Sequence, residues 1–268
     1  MSKIKIAVAG CLGRMGQEIT KQILNDKRLI FVGGFEHKNH PKINKKIGDV
    51  TDIKSKLMVI SNTNQLIKEA DIVIDFTTPA STMSNIKKAL LAKTGYVIGT
   101  TGISQNQLIS IKSFSKQIPI LMSSNMSLGV NVLFNLVQQT ASALNDIDYD
   151  IEISETHHKY KVDAPSGTAL SLGEFAARGR KVILQKVKVL DRTSKNMTRK
   201  KGNIGFSVTR GGEIAGEHTV SFIGSNDRID LVHKANDRSI FVKGAIEAAV
   251  FIAKKKNGFF DMKDLLFR

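Results

Sequence analysis

The spacing of apolar positions changes repeatedly along the chain, and each change marks an element. Residues 3–9 alternate lysine with isoleucine before closing on Ala7-Val8-Ala9, the pattern of a strand that becomes fully buried. The turn Gly10-Cys11-Leu12-Gly13-Arg14-Met15-Gly16 follows, then a helical period over residues 17–25 with Ile19, Ile23 and Leu24 apolar. Residues 29–35 predict a second strand, and the polar, lysine-rich residues 41–56 a surface loop. Further on, strands are predicted over residues 71–76, 96–99 and 118–122, each followed by a helical period: 81–92, 105–115 and 128–144.

After residue 144 the pattern changes. A strand over 148–154 leads into a polar stretch and a helix over 169–177. Strands are then predicted over 182–190, 204–209, 218–223 and 228–233 with no helices between them, and a last helix spans 241–254. Alternation of strand and helix implies a doubly wound parallel sheet, whereas successive strands imply a mixed or antiparallel one. The expected fold is therefore α/β: a Rossmann-like parallel sheet plus a second α+β domain with a mixed sheet. The expected boundaries are 1–126 for the parallel-sheet domain, completed by the C-terminal helix 237–268, and 127–236 for the second domain.

Composition narrows the class. With 268 residues, 41% hydrophobic and 24% charged, the chain has the make-up of an ordinary globular protein large enough for two cores. No apolar run reaches the ~18 residues of a membrane span and the first residues lack a signal-peptide layout, so a cytoplasmic location is expected. The single cysteine, Cys11, permits neither an intrachain disulfide nor a cysteine-built metal site, and no metal is expected. The net charge of +16 raises the question of nucleic acid, but the lysines are scattered, there is no Trp and only three Tyr occur. An anionic cofactor and an anionic substrate fit that field better, and no nucleic-acid or membrane partner is expected.

Two stretches carry candidate chemistry. In the first, strand, glycine turn and helix come in the order that lets backbone amides approach a pyrophosphate, and Glu36, twenty residues beyond Gly16, is placed to accept ribose hydroxyls. His37, Lys38 and His40 come next and could meet a 2′-phosphate, so both NADH and NADPH remain open. The ends of later strands, at Thr77, Thr78, Gly99, Thr100, Thr101, Ser123, Ser124, Asn125 and Met126, can line the nicotinamide side of a cleft or cap helices. The second stretch runs from Ser154 to Leu170 and holds His157, His158, Lys159, Lys161 and a Pro165-Ser166-Gly167-Thr168 helix entry. Imidazoles move protons near neutrality, and unpaired amides at a helix N-terminus bind carboxylates or phosphates. A dehydrogenase working through a thioester would need a cysteine nucleophile, which Cys11, within the cofactor turn, does not supply. A dinucleotide sensor or nucleic-acid-binding protein has no use for several proton donors beside a carboxylate site.

Gly10-x-x-Gly13-Arg14-Met15-Gly16, Gly99-Thr100-Thr101-Gly102, Glu155-x-His157-His158-x-x-Lys161-Val162-Asp163-Ala164-Pro165-Ser166-Gly167-Thr168-Ala169 and Gly216-Glu217-His218-Thr219 together resemble the dihydrodipicolinate reductase (4-hydroxy-tetrahydrodipicolinate reductase) family. The resemblance implies an oxidoreductase of lysine biosynthesis by the diaminopimelate route, reducing a cyclic dicarboxylate with NADH or NADPH. It implies cofactor contacts at Gly10, Cys11, Leu12, Gly13, Arg14, Met15, Glu36, His37, Gly99, Thr100, Thr101, Ser123, Ser124, Asn125 and Met126. It implies proton transfer by His157 and Lys161, and substrate carboxylates held by His158, Lys161, Gly167 and Thr168. The resemblance also implies that 1–126 is a dinucleotide-binding domain and 127–236 a substrate-binding and oligomerisation domain, with a homotetramer assembled through the second sheet. Because nicotinamide and substrate then bind in different domains, hinge closure near Ser127 and Asn236 is expected. Many members carry Arg after the ribose-binding acid, where this chain has His37.

Overall fold

The computed structural model describes residues 2–193 and 198–267. The chain divides into two compact units, Met1–Leu128 with Ser239–Arg268, and Gly129–Arg238.

In the first unit the elements run β1 (Ile4–Ala9), α1 (Arg14–Asn25), β2 (Leu29–Phe35), α2 (Ile47–Val50), β3 (Val59–Ile60), α3 (Thr63–Glu69), β4 (Ile72–Asp75), α4 (Pro79–Ala92), β5 (Gly95–Ile98), α5 (Gln105–Phe114) and β6 (Pro119–Met122). The second unit is built from α6 (Leu128–Ala143), β7 (Asp150–His157), α7 (Gly167–Gly179), α8 (Leu184–Val187), β8 (Lys188–Val189), β9 (Ile204–Arg210), β10 (Gly216–Ile223) and β11 (Arg228–Ala235). The chain then returns to the first unit with α9 (Ser239–Ile252), β12 (Gly258–Phe260) and α10 (Met262–Leu266).

Seven parallel strands in the order β12-β6-β5-β4-β1-β2-β3 form the first sheet. Both faces are covered, which is why its strands are largely apolar. Ile6, Val8, Ile72 and Ile74 share one core with α1 and α9, while Ala7, Ala9, Val73 and Tyr96 share the other with α3 and α4. The strand order reverses direction between β1 and β4, and a doubly wound sheet binds its ligand at the carboxyl end of such a switch point. In the second unit β11-β10-β7-β9-β8 form a mixed sheet, with β10 antiparallel to β7 and β11, and β9 parallel to β7 and β8. Ile151, Ile153, Phe206, Val220 and Phe222 pack one face against α6 and α7. The other face carries Ser154, Ser207, Thr209 and Val232, all exposed. None of the described helices is long and apolar enough to cross a membrane.

Two local expectations are corrected. Residues 182–190 form no long strand: only Leu184 of its apolar residues is buried, Val182, Ile183 and Leu190 are exposed, and the segment winds into α8 before a two-residue β8. Residues 41–56 are not loop throughout, because Ile47 anchors one helical turn, α2, to the core with no exposed surface. The pattern gave no sign of β3 and α3, which are too short for a period to register.

Candidate functional site

In the first unit the site begins where β1 ends. Gly10 takes φ 65°, and its amide donates to the Phe35 carbonyl at 2.9 Å, locking the turn to β2. The turn must be tight: a Cβ at Gly16 would lie 2.0 Å from the Gly10 carbonyl oxygen, so α1 packs directly on the turn. A Cβ on Gly10 would meet the Thr77 methyl group at 2.7 Å, which places the turn beside the end of β4 at the switch point. Glu36 turns back and accepts the Leu12 amide at 2.8 Å, so the ribose-binding candidate and the glycine turn form one constellation. Gly13 and Arg14 are exposed, Leu12 and Met15 partly so. Cys11 is buried against Gly34, and burial, reinforced by the Glu36 charge, pushes its thiol up to about 12. It is a small core residue and no nucleophile at neutral pH. Beside the turn lies a cavity of about 720 Å³, lined among others by Gly10, Glu36, His37, Lys38, Thr78 and Lys88.

Several hydroxyl residues at the later strand ends serve the turns themselves. Asp75 has no exposed surface; its carboxylate accepts the Thr77 amide at 2.9 Å, the Thr77 hydroxyl at 2.6 Å and the Tyr96 hydroxyl at 2.7 Å. Burial raises the Asp75 carboxyl even so. The Thr100 hydroxyl, also buried, accepts from the Thr77 amide at 3.0 Å and from Thr82 at 2.9 Å. Thr78 caps α4 by accepting from Ser81. Ser123 donates to the Asn125 carbonyl at 2.7 Å, and Asn125 accepts the Ser127 amide at 2.9 Å. Met126 is buried, whereas Thr101 and Ser124 are exposed and Gly99 partly so. The Asp75 hub was not foreseen: a buried acid at a strand end reads in the sequence as a polar terminus.

The second unit gathers the other candidates. Period-two alternation on β7 puts Glu155 and His157 on the face already occupied by Ile151 and Ile153. Glu155 is 2% exposed and satisfies its oxygens with Arg210 Nη1 and Nη2, both at 2.8 Å, the Ser166 amide at 2.9 Å and His157 Nδ1 at 2.5 Å. Burial pushes its carboxyl up, but these donors outweigh that and leave it below the usual carboxylate range. For His157 burial wins: the imidazole is held below its ordinary value although Glu155 pulls it up, with Lys161 and Arg210 adding to the fall. His218, opposite Glu155 on β10, sits edge-on to His157 with ring centroids 5.1 Å apart and has Nε2 3.1 Å from Ser166 Oγ. Burial, then the neighbouring His157, lowers it to about 4, so it is neutral at pH 7.

The remaining candidates lie in the segment after β7. His158, partly buried, donates its amide to the Ile214 carbonyl, and its Nδ1 is buried with no partner. Ser166 caps α7 by accepting from the Ala169 amide at 3.1 Å. Gly167 opens that helix with empty space where a Cβ would stand, and Thr168 follows partly buried. Lys161 Nζ donates to Asp163 at 2.7 Å. That ammonium holds the Asp163 carboxyl below its usual range. Thus Lys161 already grips a carboxylate. Glu155 and Asp163 stand in the motif with no role assigned from the sequence, and Arg210 and His218 come from distant strands. For Glu155 a signal existed, since positions two apart on a strand share a face.

Comparison with known proteins identifies the family. Residues 4–126 match the family described as dihydrodipicolinate reductase, N-terminus, and residues 129–266 match its C-terminus counterpart. The 4-hydroxy-tetrahydrodipicolinate reductase of Polynucleobacter necessarius subsp. necessarius (strain STIR1) is 41% identical over 263 residues, covering 98% of each chain. The same-named protein of Bradyrhizobium diazoefficiens is 42% identical over 269 residues, covering 99% of this chain and 98% of its own. Among solved structures, dipicolinate-bound dihydrodipicolinate reductase from Paenisporosarcina sp. TG-14 matches the fold with a TM-score of 0.79 at 22% identity over 97% of both chains. A probable dehydrogenase from Thermotoga maritima shares the fold with a TM-score of 0.61 at 10% identity, over 98% of this chain and 92% of its own. With both halves matched and relatives above 40% identity along the full length, this chain belongs to the 4-hydroxy-tetrahydrodipicolinate reductase (dihydrodipicolinate reductase) family.

Proposed function

We propose that this chain is an NAD(P)H-dependent oxidoreductase that converts (2S,4S)-4-hydroxy-2,3,4,5-tetrahydrodipicolinate to tetrahydrodipicolinate with loss of water, in the diaminopimelate route to lysine. The observation that carries the reading is an ammonium, Lys161, that already holds a carboxylate, Asp163, while the His157 imidazole that feels its charge is backed by the buried acid Glu155. Those are the requirements of a site for an anionic substrate that must receive a proton.

A nicotinamide dinucleotide suits the first unit, because the turn has no room for a side chain at Gly10 or Gly16 and little at Gly13, where a pyrophosphate must approach backbone. Gly10, Cys11, Leu12, Gly13, Arg14 and Met15 would hold the pyrophosphate through the turn, Glu36 the ribose, and Gly99, Thr101, Ser124 and their neighbours the nicotinamide end. When bound, the reduced nicotinamide supplies a hydride. Lys38 and Lys88 beside Glu36 in the 720 Å³ cavity supply cations for a 2′-phosphate, so the reading admits NADPH as well as NADH.

As the substrate is reduced, electron density moves toward its ring nitrogen, and a proton must follow. His157 and Lys161 supply it, a contribution of about 10² to 10⁴-fold for a general acid. His158, Lys161 and the amides of Gly167 and Thr168 hold the carboxylates, by charge and by the partial positive end of α7. The exposed outer face of the second sheet, with Ser154, Ser207, Thr209 and Val232, supports a homotetramer formed through that surface. A cytoplasmic setting, with neither nucleic acid nor membrane as partner, completes the reading.

The test is cofactor oxidation followed by absorbance with the cyclic hydroxylated substrate. His157→Ala and Lys161→Ala are expected to lower kcat by about 10²-fold or more while leaving cofactor affinity nearly constant. Wild-type turnover in both variants would overturn the assignment.

A further inference from the structure

His157 has one nitrogen committed. Its Nδ1 lies 2.5 Å from Glu155 Oε2, while a Cβ on Gly216 would fall 2.9 Å from its Nε2, so the side-chain-free Gly216 leaves room at that second nitrogen. Because the Glu155 carboxylate can only accept, Nδ1 carries the proton whenever the ring is neutral. Glu155 is itself fixed, since Arg210 grips both of its oxygens and the Ser166 amide closes the shell. The same guanidinium reaches the segment that carries the ammonium, donating from Nε to the Lys161 carbonyl at 3.2 Å and from Nη2 to the Asp163 carbonyl at 2.6 Å. β7, β9 and the entry to α7 therefore meet at one carboxylate, and Arg210 ties the segment 161–163 to it.

We propose that Glu155, clamped by Arg210, is the positioning residue of the reduction: it fixes His157 with Nδ1 protonated and Nε2 free to deliver a proton, and through Arg210 holds the Lys161 segment in register with that imidazole. The inference rests on the reading of His157 as a proton donor. In the step itself the Nε2–H bond breaks, its electron pair stays on the ring, and the proton passes to the substrate nitrogen. The neutral ring that remains bears its proton on Nδ1, the form that Glu155 stabilises, so the carboxylate favours both the charged donor and its product over the alternative tautomer.

The groups facing His157 are Glu155 on its own strand, Arg210 from β9, His218 from β10 and Lys161 from the following segment. Of the charged ones, Glu155 alone raises the proton affinity of the ring; Lys161 and Arg210 lower it, as burial does. Removing the Glu155 charge therefore moves His157 further down. Each unit of that shift removes about tenfold of the protonated imidazole at pH values above its pKa.

A purely structural ion pair predicts something else for Glu155→Gln: a lower Tm with an unchanged pH profile. The discriminating measurements are kcat against pH for wild type, Glu155→Gln and His157→Gln, together with ¹⁵N spectra of the imidazoles. Glu155→Gln is expected to lose about tenfold or more of kcat at neutral pH, with the alkaline limb displaced to lower pH and the KM for cofactor unchanged. In the wild-type protein the neutral His157 resonances are expected to be those of the Nδ1–H tautomer, a result that needs no variant to fold. Observation of the Nε2–H tautomer, or a wild-type limb in Glu155→Gln while His157→Gln is impaired, overturns the role of Glu155 alone. Wild-type turnover in His157→Gln overturns the reading of His157, and this role with it.

Discussion

A carboxylate with 2% of its surface exposed cannot rely on water, so every donor around Glu155 has to come from the chain. Asp163 presents the opposite case. Its side chain is 60% exposed and its ion pair with Lys161 is partly solvated, so the pair is worth on the order of 0.2–1 kcal/mol. A substrate carboxylate can displace a contact that weak. Asp163→Asn, by removing the competing charge, is expected to lower the KM for the dicarboxylate about two- to fivefold with little change in kcat. Steady-state kinetics against substrate concentration checks this, and a raised KM would mean that Asp163 orients Lys161 instead of competing with the ligand. At this scale the sequence was partly legible. Imidazole, ammonium and helix entry can be read from one contiguous stretch, but Arg210 is 55 residues from Glu155 and only strand pairing brings it near.

Among the elements, the long and strongly patterned ones were readable and the short ones were not. The strands from β1 to β6 lie on a sheet buried on both faces, so continuous apolar runs located them, except for the two-residue β3. The apolar residues of 182–190 misled because apolar character in a short segment does not separate strand from helix, and only Leu184 among them is buried. That α9 packs with α1 against β4, β5 and β6 depends on a close approach at one residue. A Cβ at Gly244 would stand 1.6 Å from the Met126 carbonyl oxygen, so the helix lies directly on the backbone that follows β6. Gly244→Ala is expected to destabilise the fold by roughly 1–3 kcal/mol, and to weaken cofactor binding if Met126 lines the nicotinamide end as proposed. Thermal unfolding and cofactor titration measure the two effects, and an unchanged Tm would mean that the helix yields at no cost.

For the whole molecule, buried imidazoles set the response to acid. His218 titrates at about 4 when folded and near its ordinary 6.5 when unfolded, so between these values the unfolded chain binds a proton that the folded chain refuses. Stability is thus full above about 6.5 and falls as pH drops toward 4, by roughly 3 kcal/mol from this residue alone. His157 and His233, both lowered, act with the same sign, and Glu155 extends the loss as pH falls through its depressed pKa. Urea unfolding at pH 7 and pH 4.5 is expected to register the decline and His218→Gln to flatten it; equal slopes in the two proteins would remove His218 as its source.

The first unit is assembled from two separated lengths of chain, and the second is one unbroken length between them. During synthesis the ribosome delivers the whole of the second unit before it delivers α9, whose Val242, Ala245, Ile246 and Ala249 belong to the core beneath β1 and β4. The nascent β-α-β half must therefore wait with one side of its sheet covered only by α1 until α9 emerges, which makes that interval the time when a chaperone has most to protect.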